Sequence, residues 1–238
     1  MRKSFNMPTN TSARVRVIGA GLAGCECAYQ IAKLGVKVEL YDMKPHKKTP
    51  AHTSNNLCEL VCSNSLRSNQ LSNAVGLLKA ELSKLGSLIM EAAYKTEVPA
   101  GSALAVNREE FSKYVTEKIK SNPLITLHEE EVADINSDEI TVIATGPLTS
   151  EAMAEAIRGL DGVSELHFYD AAAPIVDFSS VDMNKAFFAS RYGKGNPEDY
   201  LNLPFTEEEY RLFYDELINA EVAKLHEFDE LFSVNRKR

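Results

Sequence analysis

Basic side chains are the minority in this 238-residue chain: 26 Lys and Arg against 34 Asp and Glu leave a net charge of −8. Non-specific nucleic-acid binding needs Lys and Arg to meet phosphates, so an acidic total leaves room only for a local patch. One such run exists, MKPHKKTPAH, in which Lys44, His46, Lys47, Lys48 and His52 share residues 43–52 with no acid. Cysteine is scarce too. Four of them, Cys25, Cys27, Cys58 and Cys62, in a chain of this length without a secretory signal do not describe a disulfide scaffold, so reduced thiols are expected. Long apolar runs are missing: nothing approaches the roughly 18 to 20 residues that a membrane span requires. The first residues, MRKSFNMPTNTSAR, lack the apolar segment of a signal peptide. Repeats and low-complexity tracts are absent as well. The expectation is therefore a globular, cytoplasmic protein with no membrane partner, with residues 1–13 expected as a disordered leader.

What is present begins at RVRVIGAGLAGCECAYQIAKLGVKVELYDMKP. An alternating strand leads into Gly19, Gly21 and Gly24 at G-x-G-x-x-G spacing, a helix runs to Gly35, and a second strand follows from Val36 to Tyr41. The first glycine permits a tight turn, the second lets a diphosphate approach the backbone, and the third lets helix and strand pack closely. The positive end of the helix then faces the phosphates. Asp42 ends the second strand, 23 residues after Gly19, placed to accept a ribose hydroxyl. Residues Gly19, Ala20, Gly21, Leu22, Ala23, Gly24 and Asp42 are therefore the cofactor-binding candidates. A later apolar strand, EITVIATG, ends in Ala144-Thr145-Gly146, the place where two-dinucleotide flavoproteins return the chain past the cofactor, and this turns the expectation from NAD toward FAD.

The expected architecture is α/β, a Rossmann-like FAD-binding domain over residues 14–150 with an inserted segment at 43–98. The beginning of a second, α+β domain would fill 151–238. Within the insert, Leu71, Val75, Leu78, Leu82, Leu85 and Ile89 recur at three- and four-residue steps and predict one amphipathic helix facing a core. Asn107 with Glu110 predicts a capped helix start whose Phe111, Val115 and Ile119 share a face, and Thr206 with Glu209 predicts another, carrying Tyr210, Phe213, Tyr214 and Leu217. Cys25 and Cys27 fall about 200° apart around their helix and cannot easily share a metal. Cys58 and Cys62, in CELVCSNSLRSN, have no second Cys or His pair at ligand spacing, so no metal site is expected. Cys58 reads as a packing residue. Cys62 precedes Ser63, Asn64, Ser65 and Arg67, donors able to orient a polar ligand, with Arg67 able to favour a thiolate or hold a phosphate. Residue types alone leave a reactive role for Cys62 open.

The segments GAGLAGCECAYQIAKLGVKVELYDMKP, TPAHTSNNLCELVCSNSLRSN, VPAGSALAVNREEF, IATGPLTSEAMAEAI, FYDAAAPIVDFSSVDM and SRYGKG resemble, in order and with little gapping, the bacterial folate- and FAD-dependent tRNA (uracil-5-)-methyltransferases, TrmFO. The resemblance runs from about Arg14 to Phe232. It implies a methyl transfer to C5 of the T-loop uridine of tRNA, with methylenetetrahydrofolate as carbon donor and with FAD, recharged by NADH or NADPH, as reductant. Gly19 to Gly24 match the family's FAD-phosphate loop, and Asp42 stands where the family usually has Glu. Cys62 matches a cysteine given a catalytic part in proton handling. Lys44, Lys47, Lys48, Asn64 and Arg67 become candidate substrate or RNA contacts. The family is nearly twice as long and carries a second catalytic cysteine in a Gly-Cys-x-Pro stretch that has no counterpart here. The expectation is thus an N-terminal portion with little turnover of its own. The alternatives are a non-catalytic FAD-binding remnant and an rRNA-directed methyltransferase on the same scaffold.

Overall fold

The computed structural model describes residues 14–135, 139–161, 177–190 and 196–221. FYDAAAPIV, most of SRYGKG and the residues after Glu221 lie outside them. The chain divides into two compact units, Met1–Ala173 and Pro174–Arg238, a later boundary than the one drawn at 151.

The first unit is built on strand β1 (Arg14–Ile18), helix α1 (Leu22–Lys33) and strand β2 (Lys37–Asp42), the predicted βαβ opening. Strands β6 (Ile125–Glu129) and β7 (Thr141–Ile143) complete a four-stranded sheet in the order β6-β2-β1-β7, parallel throughout. Val17 pairs with Leu40 on one side and Val142 on the other, so β1 is interior to the sheet, with Val17 and Ile18 buried. The chain moves outward from β1 through β2 to β6 and then returns to the opposite side of β1 as β7. That reversal opens a crevice beyond the carboxyl ends of β1 and β7, where ligands bind in open α/β sheets. The α/β expectation is borne out.

Helix α4 (Arg108–Lys120) delivers the chain to β6. Asn107 caps it by accepting from the amides of Glu109 and Glu110 at 3.1 and 3.2 Å, and Phe111, Val115 and Ile119 are fully buried, as their spacing predicts. Between β2 and α4 lies a segment that runs past the insert expected at 43–98 and holds β3 (Ser65–Ser68), α2 (Ala74–Lys84), α3 (Leu88–Lys95), β4 (Glu97–Val98) and β5 (Ala103–Val106). Its strands form a separate antiparallel sheet, β3-β5-β4.

The single amphipathic helix expected over 71–89 is two helices, and its leucine stripe faces outward. Gly86, at φ +74°, ends α2, and Ser87 caps α3 by accepting from the Met90 amide. The break is held from a distance. One Glu26 carboxylate oxygen, on α1, accepts from the Ser87 hydroxyl at 2.8 Å and from the Ile89 amide at 2.9 Å. Leu71, Leu78 and Leu85 are 67%, 54% and 72% exposed, whereas Gly76 and Lys79 are the buried residues of α2. The physical reason lies in that contact: a Cβ at Gly76 would sit 2.1 Å from the Gln70 carbonyl oxygen, and the Lys79 ammonium donates to the Ser68 carbonyl at 2.8 Å. Close backbone approach and a buried lysine bond decide which face points inward, against the hydrophobic pattern.

Helix α5 (Glu151–Asp161) follows β7 and belongs to the first unit, with Met153 buried. The second unit contains a 3₁₀ turn (Phe178–Ser180), a two-stranded antiparallel sheet of β8 (Phe187–Phe188) and β9 (Leu201–Asn202), and helix α6 (Glu207–Asn219). Thr206 and Glu209 close the predicted capping box at 3.2 and 2.8 Å. Tyr210, Phe213, Tyr214 and Leu217 are all exposed. No helix among the described residues is long and apolar enough to cross a membrane.

Candidate dinucleotide site

The glycine loop between β1 and α1 has no freedom to be anything else. Gly19 adopts φ +99°, and a Cβ there would meet the Ala144 carbonyl oxygen at 2.6 Å; a Cβ at Gly24 would lie 1.7 Å from the Gly19 carbonyl oxygen. Gly21 differs, because a Cβ on it would meet nothing within 4 Å. Its missing side chain faces open space in front of α1. Helix α1 starts there without a side-chain cap and without an acid in its first turn, so its first N–H groups remain available to an anion.

A cavity of about 360 Å³ lies at this point. Gly19, Ala20, Gly21, Leu22, Ala23 and Asp42 all line it, and Gly24 packs behind it in the core. Asp42 is fixed by two backbone amides: Oδ2 accepts from Ala20 and Oδ1 from Lys44, each at 2.9 Å. A carboxylate has about four lone-pair sites, so capacity for a hydroxyl remains. The opposite wall comes from the loop after β7, where the Thr145 and Thr149 hydroxyls lie 2.6 Å apart, and from Glu130 and Glu131 after β6.

The four cysteines separate by position. Cys58 lines the cavity, holds φ +54° and donates its amide to the Ala20 carbonyl at 3.1 Å; Cys25 donates its Sγ–H to the same carbonyl at 3.3 Å. Burial, and then the hydrogen bond with Cys25, push the Cys58 thiol well above its ordinary range, which makes it inert. Burial also raises the half-buried Cys27. Cys62 is exposed and does not line the cavity, although its neighbour Val61 does.

The model of the glucose inhibited division protein A family matches residues 14–235. The chain belongs to that family. Among its relatives, the methylenetetrahydrofolate–tRNA-(uracil-5-)-methyltransferase TrmFO of Lactobacillus delbrueckii subsp. bulgaricus is 57% identical over 216 residues, 91% of this chain and 49% of that protein. The enzyme of the same name from Acetivibrio thermocellus is 57% identical over 215 residues, 90% of this chain and 49% of that one. The chain spans about half the length of the curated relatives it matches. A solved structure of Aquifex aeolicus GidA aligns with TM-score 0.43 and 19% identity, over 52% of this chain and 20% of that chain.

In this member of the glucose inhibited division protein A family the candidate contact residues do not converge. Lys44 lines the cavity and is 7% exposed, with its ammonium donating to the Asn56 carbonyl, so it presents no surface to a macromolecule. Lys47 is ion-paired with both oxygens of Glu131 at 2.7 Å, which holds that carboxyl below its usual range, and Lys48 donates to the Thr53 carbonyl. The basic run is therefore largely engaged internally. Asn64 pins β5 through the Val106 carbonyl at 3.0 Å. Arg67 sits at φ +66° in the irregular stretch of β3, exposed, with no partner for its guanidinium among the described residues. Lys79 is lowered by burial first and then by Arg67's charge.

Sequence reasoning missed His52, Cys58 and Glu131 as cavity residues. His52 takes a 2.6 Å hydrogen bond between Nδ1 and the Thr49 hydroxyl, and burial, followed by the charge of Lys44, holds its imidazole below the usual range. Its only advance signal was its place in the basic run of residues 43–52.

Proposed function

We propose that this chain binds FAD through its adenosine diphosphate half and serves the folate-dependent methylation of uridine C5 in tRNA. The observation that supports this most directly is the open space before Gly21 at the uncapped start of α1, with Asp42 tied beside it, in a chain 57% identical to TrmFO relatives. A side chain at Gly21 would fill the space that a diphosphate needs, so the cradle fits a dinucleotide. Gly19 to Gly24 take the phosphates and Asp42 the ribose.

FAD, once bound and reduced by NADH or NADPH, would supply the hydride that turns the methylene carbon of methylenetetrahydrofolate into a methyl group, as its bonds to the folate nitrogens break and tetrahydrofolate leaves. The uridine gains a C5–C bond and loses its C5 proton. The resemblance to the methyltransferase family assigns that proton to Cys62, an exposed thiol next to the cavity residue Val61.

The test has two parts. FAD is titrated into purified chain and followed by quenching of flavin fluorescence; a T-arm transcript is then incubated with chain, methylenetetrahydrofolate, FAD and NADPH, and C5-methyluridine is measured for wild type and Cys62→Ser. Binding, with methylation that the variant loses, supports the whole reading. Absence of FAD binding refutes the dinucleotide assignment; FAD binding with little methylation is the outcome expected of a chain that spans about half the length of its relatives, and methylation that Cys62→Ser retains refutes the role of Cys62.

A further inference from the structure

Lys44 carries a buried ammonium that forms no ion pair within 4 Å among the described residues, although Asp42, Glu59, Glu130 and Glu131 line the same cavity. Its side chain is 7% exposed and lines the cavity, yet its only hydrogen-bond acceptor is the Asn56 carbonyl, and no carboxylate lies within 4 Å of its ammonium among the described residues. An ammonium has three donors, so two remain unused. A buried charge that is not paired is costly, and natural sequences retain one where a ligand completes the pair.

Its position says which ligand. The Lys44 amide is bound by Asp42 Oδ1, while Asp42 Oδ2 holds the Ala20 amide; at its other end the ammonium reaches Asn56, two residues before Cys58, whose amide is bonded to the Ala20 carbonyl. Lys44 is thus fastened at both ends to the segments that clasp the glycine loop, whose α1 amides await an anion. We infer that the Lys44 ammonium is a recognition group for the diphosphate of the bound dinucleotide, making the cavity selective for phosphorylated nucleotides over nucleosides. This inference rests on the dinucleotide reading above. It moves Lys44 from the RNA contacts to the cofactor site, and it gives the residue two opposed effects: a penalty in the ligand-free protein and a gain when the anion arrives.

Dissociation constants for FAD, ADP and adenosine are to be measured for the wild-type chain, Lys44→Met and Lys44→Arg, together with ligand-free melting temperatures. One lost charge-assisted hydrogen bond corresponds to about 10- to 100-fold in affinity. Lys44→Met should therefore weaken FAD and ADP by that factor, leave adenosine within about 2-fold, and melt no lower than wild type without ligand. Lys44→Arg, which keeps the charge, should retain most of the preference for ADP over adenosine. Unchanged FAD and ADP binding in Lys44→Met, or an equal loss for adenosine, overturns the inference while the dinucleotide reading stands. Failure of the wild type to bind either FAD or ADP overturns that reading itself.

Discussion

Alanine at Gly24 and alanine at Gly21 are the same chemical change three residues apart, and the geometry assigns them opposite consequences. At Gly24 the new Cβ would lie 1.7 Å from the Gly19 carbonyl oxygen, a backbone atom that cannot swing aside, so α1 and the loop must separate. Overpacking of this kind costs about 3 kcal/mol or more. For a domain of this size that lowers the melting temperature by roughly 6 to 12 °C. At Gly21 the backbone is at φ −76°, ψ −167°, which alanine adopts freely, and nothing protein-derived lies within 4 Å. The entropy gained by restricting the unfolded chain and the poorer capping by alanine are each under about 1 kcal/mol and opposed, so the fold should be nearly unchanged. The methyl group would instead occupy the phosphate space, and FAD affinity should fall at least about 10-fold. Thermal denaturation without ligand and FAD titration of both variants separate the two effects. Gly21→Ala melting as low as Gly24→Ala, or binding FAD as tightly as wild type, would refute the cradle argument.

Three further outcomes are expected. Glu26→Ala should cost about 1 to 3 kcal/mol by freeing the start of α3, with faster hydrogen exchange at the α3 amides; exchange confined to α1 would contradict the tether. Glu91 is held below its usual range by the Tyr114 hydroxyl first, with Lys118 and Lys95 adding to it. A depressed carboxylate contributes stability that is present above its unfolded value of about 4.3 and is lost as pH falls through the lower folded value. Melting temperature should therefore fall less between pH 6 and pH 3 in Glu91→Gln than in wild type, and parallel curves would count against it. Leu78→Ser should alter stability by no more than about 0.5 kcal/mol and Phe111→Ala by about 3 to 5, measured by urea denaturation; a large effect at Leu78 would mean that the α2 stripe is covered.

Local chemistry was legible in the sequence, and distant partners were not. The glycine spacing, the caps at Asn107 and Thr206 and the inward face of α4 each depend on residues within one or two turns, so the pattern alone predicts them. The α2–α3 break depends on Glu26, 61 residues before Ser87, and no periodicity announces it. The orientation of α2 failed for a related reason: leucines at helical spacing report that a helix has an apolar face, not that something covers it. At the site, Asp42 and the glycine loop follow from the βαβ grammar. The burial of Lys44 and the engagement of Lys47 with Glu131 arise from how the insert and the β6 loop fold back over the cavity, and a short basic run reads identically whether solvated or enclosed.

The pairing of β1 with β7 has a consequence for synthesis on the ribosome. Arg16 is matched with Thr141, so this interior strand of the sheet waits for a neighbour encoded 125 residues later. At about 5 to 20 residues per second, that is roughly 6 to 25 s during which β1 has β2 on one side and an open edge on the other. Ala144, which walls the glycine loop, arrives last. A nascent chain therefore cannot close the cavity beside its glycine loop early, and during that interval the bare edge of β1 is the place where pairing with a wrong strand, or capture by a chaperone, competes with correct folding.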